Sequence, residues 1–394
     1  MAAFRTTPSR TERADAREGT RAPPRVAIVH DWLTGMRGGE KVLEIACDLF
    51  PEADIHTLIH RPGSVSPAIE KHRIVASRLN RLPLAGAYYR CLLPLFPAVA
   101  ERMRLDSYDL VIAISHCVAH GVAVSPETRF VAYYLTPMRY AWDSADAYFA
   151  PRRRLDPRRW AWRLLRGRLR RWDRRAAARV GECLAACRNV RDRLLRCYGR
   201  DAAVIHPPVD TEFYRPRDVP REDFYLWVGA LAPYKRIDLA LEAFRGLDRR
   251  LIVIGSGQCE RRARAAAPPN VQFLGWQPDE VLGESYCRAR ALIFPGEEDF
   301  GIVPLEAQAC GCPVIAYGKG GALETVIDAA AGGREATGVF FGEPAAQSLA
   351  DAVRSFERRG RSFNVEALRA NAVRFSRETC ARALRAYLLG RETM

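Results

Sequence analysis

Two glutamates with seven residues between them, Glu298 and Glu306, and a lysine upstream, Lys235, are the side chains whose types and spacing could do chemistry. Both glutamates lie in ALIFPGEEDFGIVPLEAQACGCPVIAYGKGGALET, residues 291–325. An ionised carboxylate only accepts hydrogen bonds, so vicinal sugar hydroxyls are natural partners for such a pair. Glu298 falls in a loop and Glu306 about two turns into an expected helix over Ile302–Ala309, which separates them by on the order of 10 Å. That is too wide for the paired acids of a retaining glycosidase, and it suits holding two parts of one extended ligand. Glu297 and Asp299 read as acids that complement the dipole of the same helix. Lys235 and Arg236 stand at a loop-to-helix junction in LWVGALAPYKRIDLALEAF, where cationic side chains and backbone N–H groups can both face a diphosphate.

The elements that must position these groups are legible as short apolar runs, each ending in a glycine loop and leading into a helical pattern. In the second half they are LWVG, RLIVIGSG, NVQFLGW, ALIFPG and PVIAYG; Gly229, Gly275 and Gly301 mark three of the loops. In the first half, RVAIVHDWL (25–33) leads through Gly38-Gly39 into KVLEIACDLF. ADIHTLI (53–59), YDLVIAIS (108–115) and TRFVAYYLTPMRYAWD (128–143) follow. Repeated βα units of this kind predict open parallel sheets with ligands outside the carboxyl ends of the strands. Gly38 and Gly39 would let backbone approach a ligand at a helix N-terminus that favours an anion.

The spacing Glu298–Glu306 resembles the E-x7-E motif of retaining nucleotide-sugar glycosyltransferases of family 4. The surrounding run EDFGIVPLEAQACGCPVIAYGKGGALETV is similar to bacterial mannosyltransferases that build O-antigen and exopolysaccharide repeats. The resemblance implies an α/β GT-B fold, two Rossmann-like domains facing a central cleft. It implies a metal-independent transferase without a cofactor, which moves a hexose, with GDP-mannose the favoured donor, to a lipid-linked saccharide acceptor. Glu306 would hold the ribose, and Glu298 the sugar together with backbone N–H groups around Phe300 and Gly301. Lys235, six positions after Gly229 as in the family, would neutralise the departing diphosphate, with Arg236 as a second cation because Ala230 stands at the family's arginine position. Gly275 begins the stretch that borders the base. SHCVAHG places His116, and TPMRYAWD places Arg139 and Asp143, on the acceptor side. Leu135 replaces a histidine that in related enzymes contacts the donor sugar near C6. Weakened activity, a contact supplied from elsewhere, or a 6-deoxy donor would each follow. A catalytically silent scaffold that binds nucleotide or a membrane surface is the rival reading.

Length and composition set the frame. With 394 residues and 48% hydrophobic content the chain can hold two domains with sizeable cores. The expected division is a disordered tail over 1–24, an acceptor domain over 25–203 completed by a C-terminal helix over 372–391, and a donor domain over 204–371. A single last helix is expected over about 366–389. No secretory signal is evident in the first 24 residues. Eleven cysteines without CxxC pairs, and seven scattered histidines, suggest reduced thiols and no structural metal; no Asp-x-Asp metal clamp is evident. The net charge of +15 is concentrated in 151–180, which has thirteen Arg and two Asp. Its Trp and Leu residues among arginines read as a membrane-surface element attracted to anionic headgroups, or as a solvated helix pair. Nucleic-acid binding has no accompanying signature. The expected location is cytoplasmic, peripheral on the inner face of the plasma membrane.

Overall fold

The computed structural model describes residues 24–83, 89–142, 158–331, 333–359 and 363–390. Asp143 and residues 1–23 of the expected tail over 1–24 lie outside them.

Two all-parallel sheets form two domains. The first has seven strands: β1 (Val26–Leu33), β2 (Asp54–His60), β3 (Ile74–Ala76), β4 (Leu110–Ser115), β5 (Arg129–Tyr134), β6 (Glu182–Ala185) and β7 (Ala203–Val204), in the order β3-β2-β1-β4-β5-β6-β7. The second has six: β8 (Phe224–Val228), β9 (Arg250–Ile254), β10 (Val271–Gly275), β11 (Leu292–Phe294), β12 (Val314–Tyr317) and β13 (Gly338–Phe341), in the order β10-β9-β8-β11-β12-β13. Every residue of β1 is buried, as is every residue of β4, β8, β11 and β12. Strands covered on both faces by helices must be apolar throughout, which is why they read as continuous runs rather than alternating ones. The run AAVIH was expected to be a strand and holds β7, whereas β3 and β6 were not read as strands.

Strand order reverses between β1 and β4 in the first sheet, and between β8 and β11 in the second. These reversals open a crevice at the carboxyl ends of the strands. Into the first open the loops before helix α1 (Gly38–Leu49) and after β4; into the second open the loops before helix α2 (Ile237–Arg245) and before helix α3 (Ile302–Ala309). α1 buries Val42, Leu43, Ile45 and Ala46 against the first sheet.

The expected last helix is two helices, Val365–Val373 and Arg377–Leu389. The Ser376 side chain accepts from the Thr379 N–H at 3.2 Å and starts a new helix there. The break is where the chain passes between domains: Ala372 joins the core of the second, whereas Cys380, Leu384 and Leu388 join the core of the first. Arg129 at the start of β5 donates to the carbonyls of Tyr387 and Leu388, which fixes the helix to that domain.

Candidate functional site

The loops that follow β8 and β11 touch at backbone distance. A Cβ built on Gly296 would lie 2.6 Å from the Tyr234 carbonyl oxygen, so only glycine fits there. That approach brings Lys235 Nζ to 2.6 Å from Glu298 Oε1, with only 12% and 13% of the two side chains exposed. Burial works against the Lys235 charge, but Glu298 outweighs it and raises the pKa above the ordinary lysine value. Gly229 lies under the lysine stem.

Glu306 projects from α3 and is buried. Its Oε2 accepts from the Tyr286 hydroxyl at 3.3 Å, and its Oε1 accepts from Lys41 Nζ at 2.9 Å. Lys41 belongs to α1 of the first domain, so this pair crosses the cleft. The lysine also sits 5.7 Å from the centroid of the Tyr214 ring.

Asp299 does something other than complement a helix dipole. Its buried carboxylate receives Arg139 Nε at 2.9 Å and a guanidinium nitrogen of Arg193, both from the first domain. Burial opposes its ionisation, yet the two guanidinium groups hold its pKa below the usual carboxylate range. The Cys187 thiol donates to the Asp299 carbonyl at 2.7 Å. Glu324 makes a third crossing: it accepts the backbone N–H groups of Arg188 and Asn189 at 3.1 and 3.2 Å and pairs with His206 at 3.1 Å.

The opposite wall comes from β1, α1 and the loop after β4. Asp31 is fully buried, and its carboxylate accepts four successive backbone N–H groups, those of His116, Cys117, Val118 and Ala119, at 2.6–3.0 Å. His116 Nδ1 approaches the same carboxylate at 3.0 Å. Burial would raise the Asp31 pKa, but His116 and the N–H groups hold it far below the usual range. Beside it, His30 Nδ1 faces the Ile114 carbonyl at 3.1 Å, and Nε2 is 3.5 Å from Glu40. Burial opposes charge on His30; the Glu40 carboxylate raises its pKa nonetheless. Gly39 fits between Leu135 and His30, with room for no side chain: a Cβ there would be 2.6 Å from Leu135 and 3.2 Å from His30. Between the walls lies a cavity of about 720 Å³, with His30, Glu40, His116, Arg139, Gly229 and Trp276 in its lining.

The structure puts Gly229, Gly39, His116 and Arg139 in the lining of this cleft; Lys235, beside Gly229 and paired with Glu298, and Glu306, paired with Lys41, lie outside the lining itself. Gly38 faces Ile302 at the start of α3, where Gly301 with φ +94° sets the helix N-terminus. Gly275, with φ +73°, turns the chain so that Trp276 projects into the opening, 72% exposed. One expectation is displaced. The Arg236 backbone is left-handed, with φ +52°, and its guanidinium pairs with Asp238 at 3.2 Å, away from Lys235. Arg139, stacked over the Tyr234 ring at 4.8 Å, is the arginine beside Lys235 instead. Phe300 turns its ring inward between His206 and Phe375, which leaves its backbone alone to face a ligand. His120 is structural, held between Ser115 and Asp173.

Sequence reasoning assigned no part to His30, Asp31, Glu40 or Lys41. The signals were VHDW at the carboxyl end of the first strand and a lysine in a chain with only four of them.

Residues 210–375 match the family model for glycosyl transferases group 1. The second domain is thus similar to group 1 glycosyl transferases. Curated relatives include the D-inositol 3-phosphate glycosyltransferase of Frankia alni, 33% identical over 182 residues that cover 38% of this chain and 45% of the relative. That of Mycobacteroides abscessus is 31% identical over 219 residues, 49% of this chain and 48% of the relative. The chain thus spans about half the length of the curated relatives it matches. Among solved structures, HepE of Anabaena in complex with UDP and glucose superimposes with a TM-score of 0.66 at 16% identity, covering 94% of this chain and all of that one. WaaG, a glycosyltransferase involved in lipopolysaccharide biosynthesis, gives 0.61 at 18% identity over 93% of this chain and all of its own. The two domains together form an α/β GT-B fold.

Proposed function

We propose that the chain is a retaining, metal-independent glycosyltransferase that moves a hexose, with mannose favoured, from a nucleotide-diphosphate sugar to a lipid-linked saccharide. The observation that carries the reading is the buried Lys235–Glu298 pair at the switch point of the second sheet, beside the helix that bears Glu306. The Lys235 ammonium would neutralise the diphosphate as it departs. Fixed charges aimed at developing negative charge act with little reorganisation in a water-poor cleft. Glu298 would accept from sugar hydroxyls and Glu306 from the ribose. Because Lys41 holds Glu306 Oε1 at 2.9 Å, ribose binding would exchange one partner for another. Trp276, exposed at the cleft mouth, offers a face for the base. The UDP and glucose bound by HepE support a nucleotide-sugar donor; GDP-mannose rests on the sequence resemblance.

Helix Arg158–Arg179 supports an anionic membrane surface as partner, which would put the enzyme at the inner face of the plasma membrane. Arg168, Arg171 and Arg175 are exposed, and Leu164 is 71% exposed. No helix among the described residues is long and apolar enough to cross a membrane. Leu135, apolar against His30 and Gly39, favours the second reading, a silent scaffold that binds nucleotide without turnover.

Thermal-shift measurements with GDP, UDP and dTDP sugars select the donor, because a ligand that binds the folded state raises apparent stability. Release of nucleoside diphosphate that requires a lipid-linked acceptor distinguishes transferase from scaffold. Binding without release under every acceptor would sink the transferase reading.

A further inference from the structure

We propose that the first domain supplies part of the diphosphate site: Arg139 faces the donor's phosphates across the cleft, as the second cation beside Lys235. The inference rests on the nucleotide-sugar reading above and gives Arg139 a role that reading does not assign. The loop after β8, which leads to Lys235, has Ala230 where the resemblance places an arginine. Ala230 and Arg139 line the same cavity, so the wall that lacks one guanidinium receives another from the opposite domain.

Charge around Arg139 is out of balance. Its Nε donates to Asp299 Oδ2 at 2.9 Å, and Nη2 donates to the same oxygen. Arg193 Nη1 already holds the other oxygen. Lys235 and Glu298 neutralise each other at 2.6 Å. Among the described residues of this cluster, Lys235, Arg139 and Arg193 therefore stand against Glu298 and Asp299, with one positive charge in excess. An uncompensated charge held away from water is costly, and a phosphate in the cleft would offset it. A strut between the domains would need only one of the two arginines. The guanidinium also has donors to spare: it carries five N–H groups in a rigid fork that matches phosphate oxygens. Among the described residues Nη1 of Arg139 has no hydrogen-bond partner, and the side chain is 25% exposed. Tyr234 brings the two cations together, with the Arg139 guanidinium carbon 4.8 Å and Lys235 Nζ 5.8 Å from its ring centroid. Arg139 is near enough to oppose the Lys235 charge. Like charges held side by side suit a ligand that carries two negative ones.

The test measures binding rather than turnover, on the whole chain, by calorimetric titration with UDP, UMP and uridine and with GDP, GMP and guanosine. The quantity read is the ratio of monophosphate to diphosphate dissociation constants, for whichever base the parent binds. Arg139→Gln should narrow that ratio on the order of 10-fold or more and leave monophosphate binding within about threefold. Asp299→Asn removes the strut and keeps the cation, so its ratio should stay near the parent's. Arg139→Lys keeps a charge for Asp299 but loses the fork, and should narrow the ratio too; it decides the matter should the glutamine variant not fold. A ratio left at the parent's value overturns the proposal. So does equal weakening of diphosphate, monophosphate and nucleoside, or a ratio that Asp299→Asn narrows as far as Arg139→Gln. A parent that binds neither UDP nor GDP overturns the nucleotide-sugar reading and this inference together. If the parent binds and the Arg139 variants match it, that reading stands and the role of Arg139 alone fails.

Discussion

Asp31 and Glu306 are both buried carboxylates at the cleft, and they are satisfied in opposite ways. Asp31 is held by four N–H groups and an imidazole from its own domain, none of which can leave without unfolding the loop after β4. Glu306 is held by one tyrosine hydroxyl and one lysine that comes from the other domain on a flexible stem. Desolvating a carboxylate costs several kcal/mol unless hydrogen bonds replace the water, so both acids must be partnered. A partner that a ligand can displace makes a binding site, and one that nothing can displace makes a scaffold. Glu298 resembles Glu306 in being held by a lysine ammonium rather than by backbone N–H groups.

The largest effect that would break this comparison is expected at Lys235. Lys235→Ala should cost on the order of 10²–10³ in turnover, with a folded protein by circular dichroism. Arg236→Ala should change turnover by less than about threefold, since its guanidinium is turned to an exposed aspartate, where ion pairs contribute little. Equal losses at the two positions would show that the loop rearranges on binding and that the direction of Arg236 here is not the working one.

Asp31 and Glu306 should then separate by kind of damage. Asp31→Ala leaves several buried donors without an acceptor and should lower unfolding stability by about 3–5 kcal/mol in urea titrations. Glu306→Gln should leave stability within about 1 kcal/mol and weaken nucleotide binding at least about tenfold, by the loss of a charge-assisted acceptor. The distinction collapses if Asp31→Ala is as stable as the parent, or if Glu306→Gln binds nucleotide as before.

The same contrast explains what could be read from the chain beforehand. Glu298, Glu306 and Lys235 were legible because each sits at a fixed spacing from a strand end and a glycine, all within local sequence. The Asp31–His116 pair joins residues 85 apart and exists only because β4, not β2 alone, lies beside β1. No local pattern encodes that adjacency. Arg236 was misdirected by one torsion, because a left-handed residue points its side chain away from where a helical or extended one would. Asp299 looked like one more acid at a helix start; its arginines come from β5's following loop and from helix Arg188–Tyr198, 160 and 106 residues away. The helical pattern near the C-terminus was read without its break, since a serine cap inside a continuous pattern is visible only once the two domains are seen to share that segment.

Asp299 offers the smallest and most discriminating effect. It is a third kind of buried acid: its partners are cationic like those of Glu298, but two arginines from the other domain hold it at once. Its folded pKa lies below the ordinary value of about 3.9. A group depressed in this way contributes stability that is fully present above the unfolded value and is lost as pH falls through the folded one. The parent's thermal midpoint should therefore be nearly insensitive to this group down to about pH 5 and should fall below about pH 4 as Asp299 protonates. Asp299→Asn cannot titrate there, so its midpoint should start lower at neutral pH and converge on the parent's as the pH drops. Asp31, depressed in both proteins, contributes equally to each and cancels from the difference. Parallel curves would mean that the arginines gain nothing from the Asp299 charge and that the contact between the domains rests on Glu324, Lys41 and apolar packing alone.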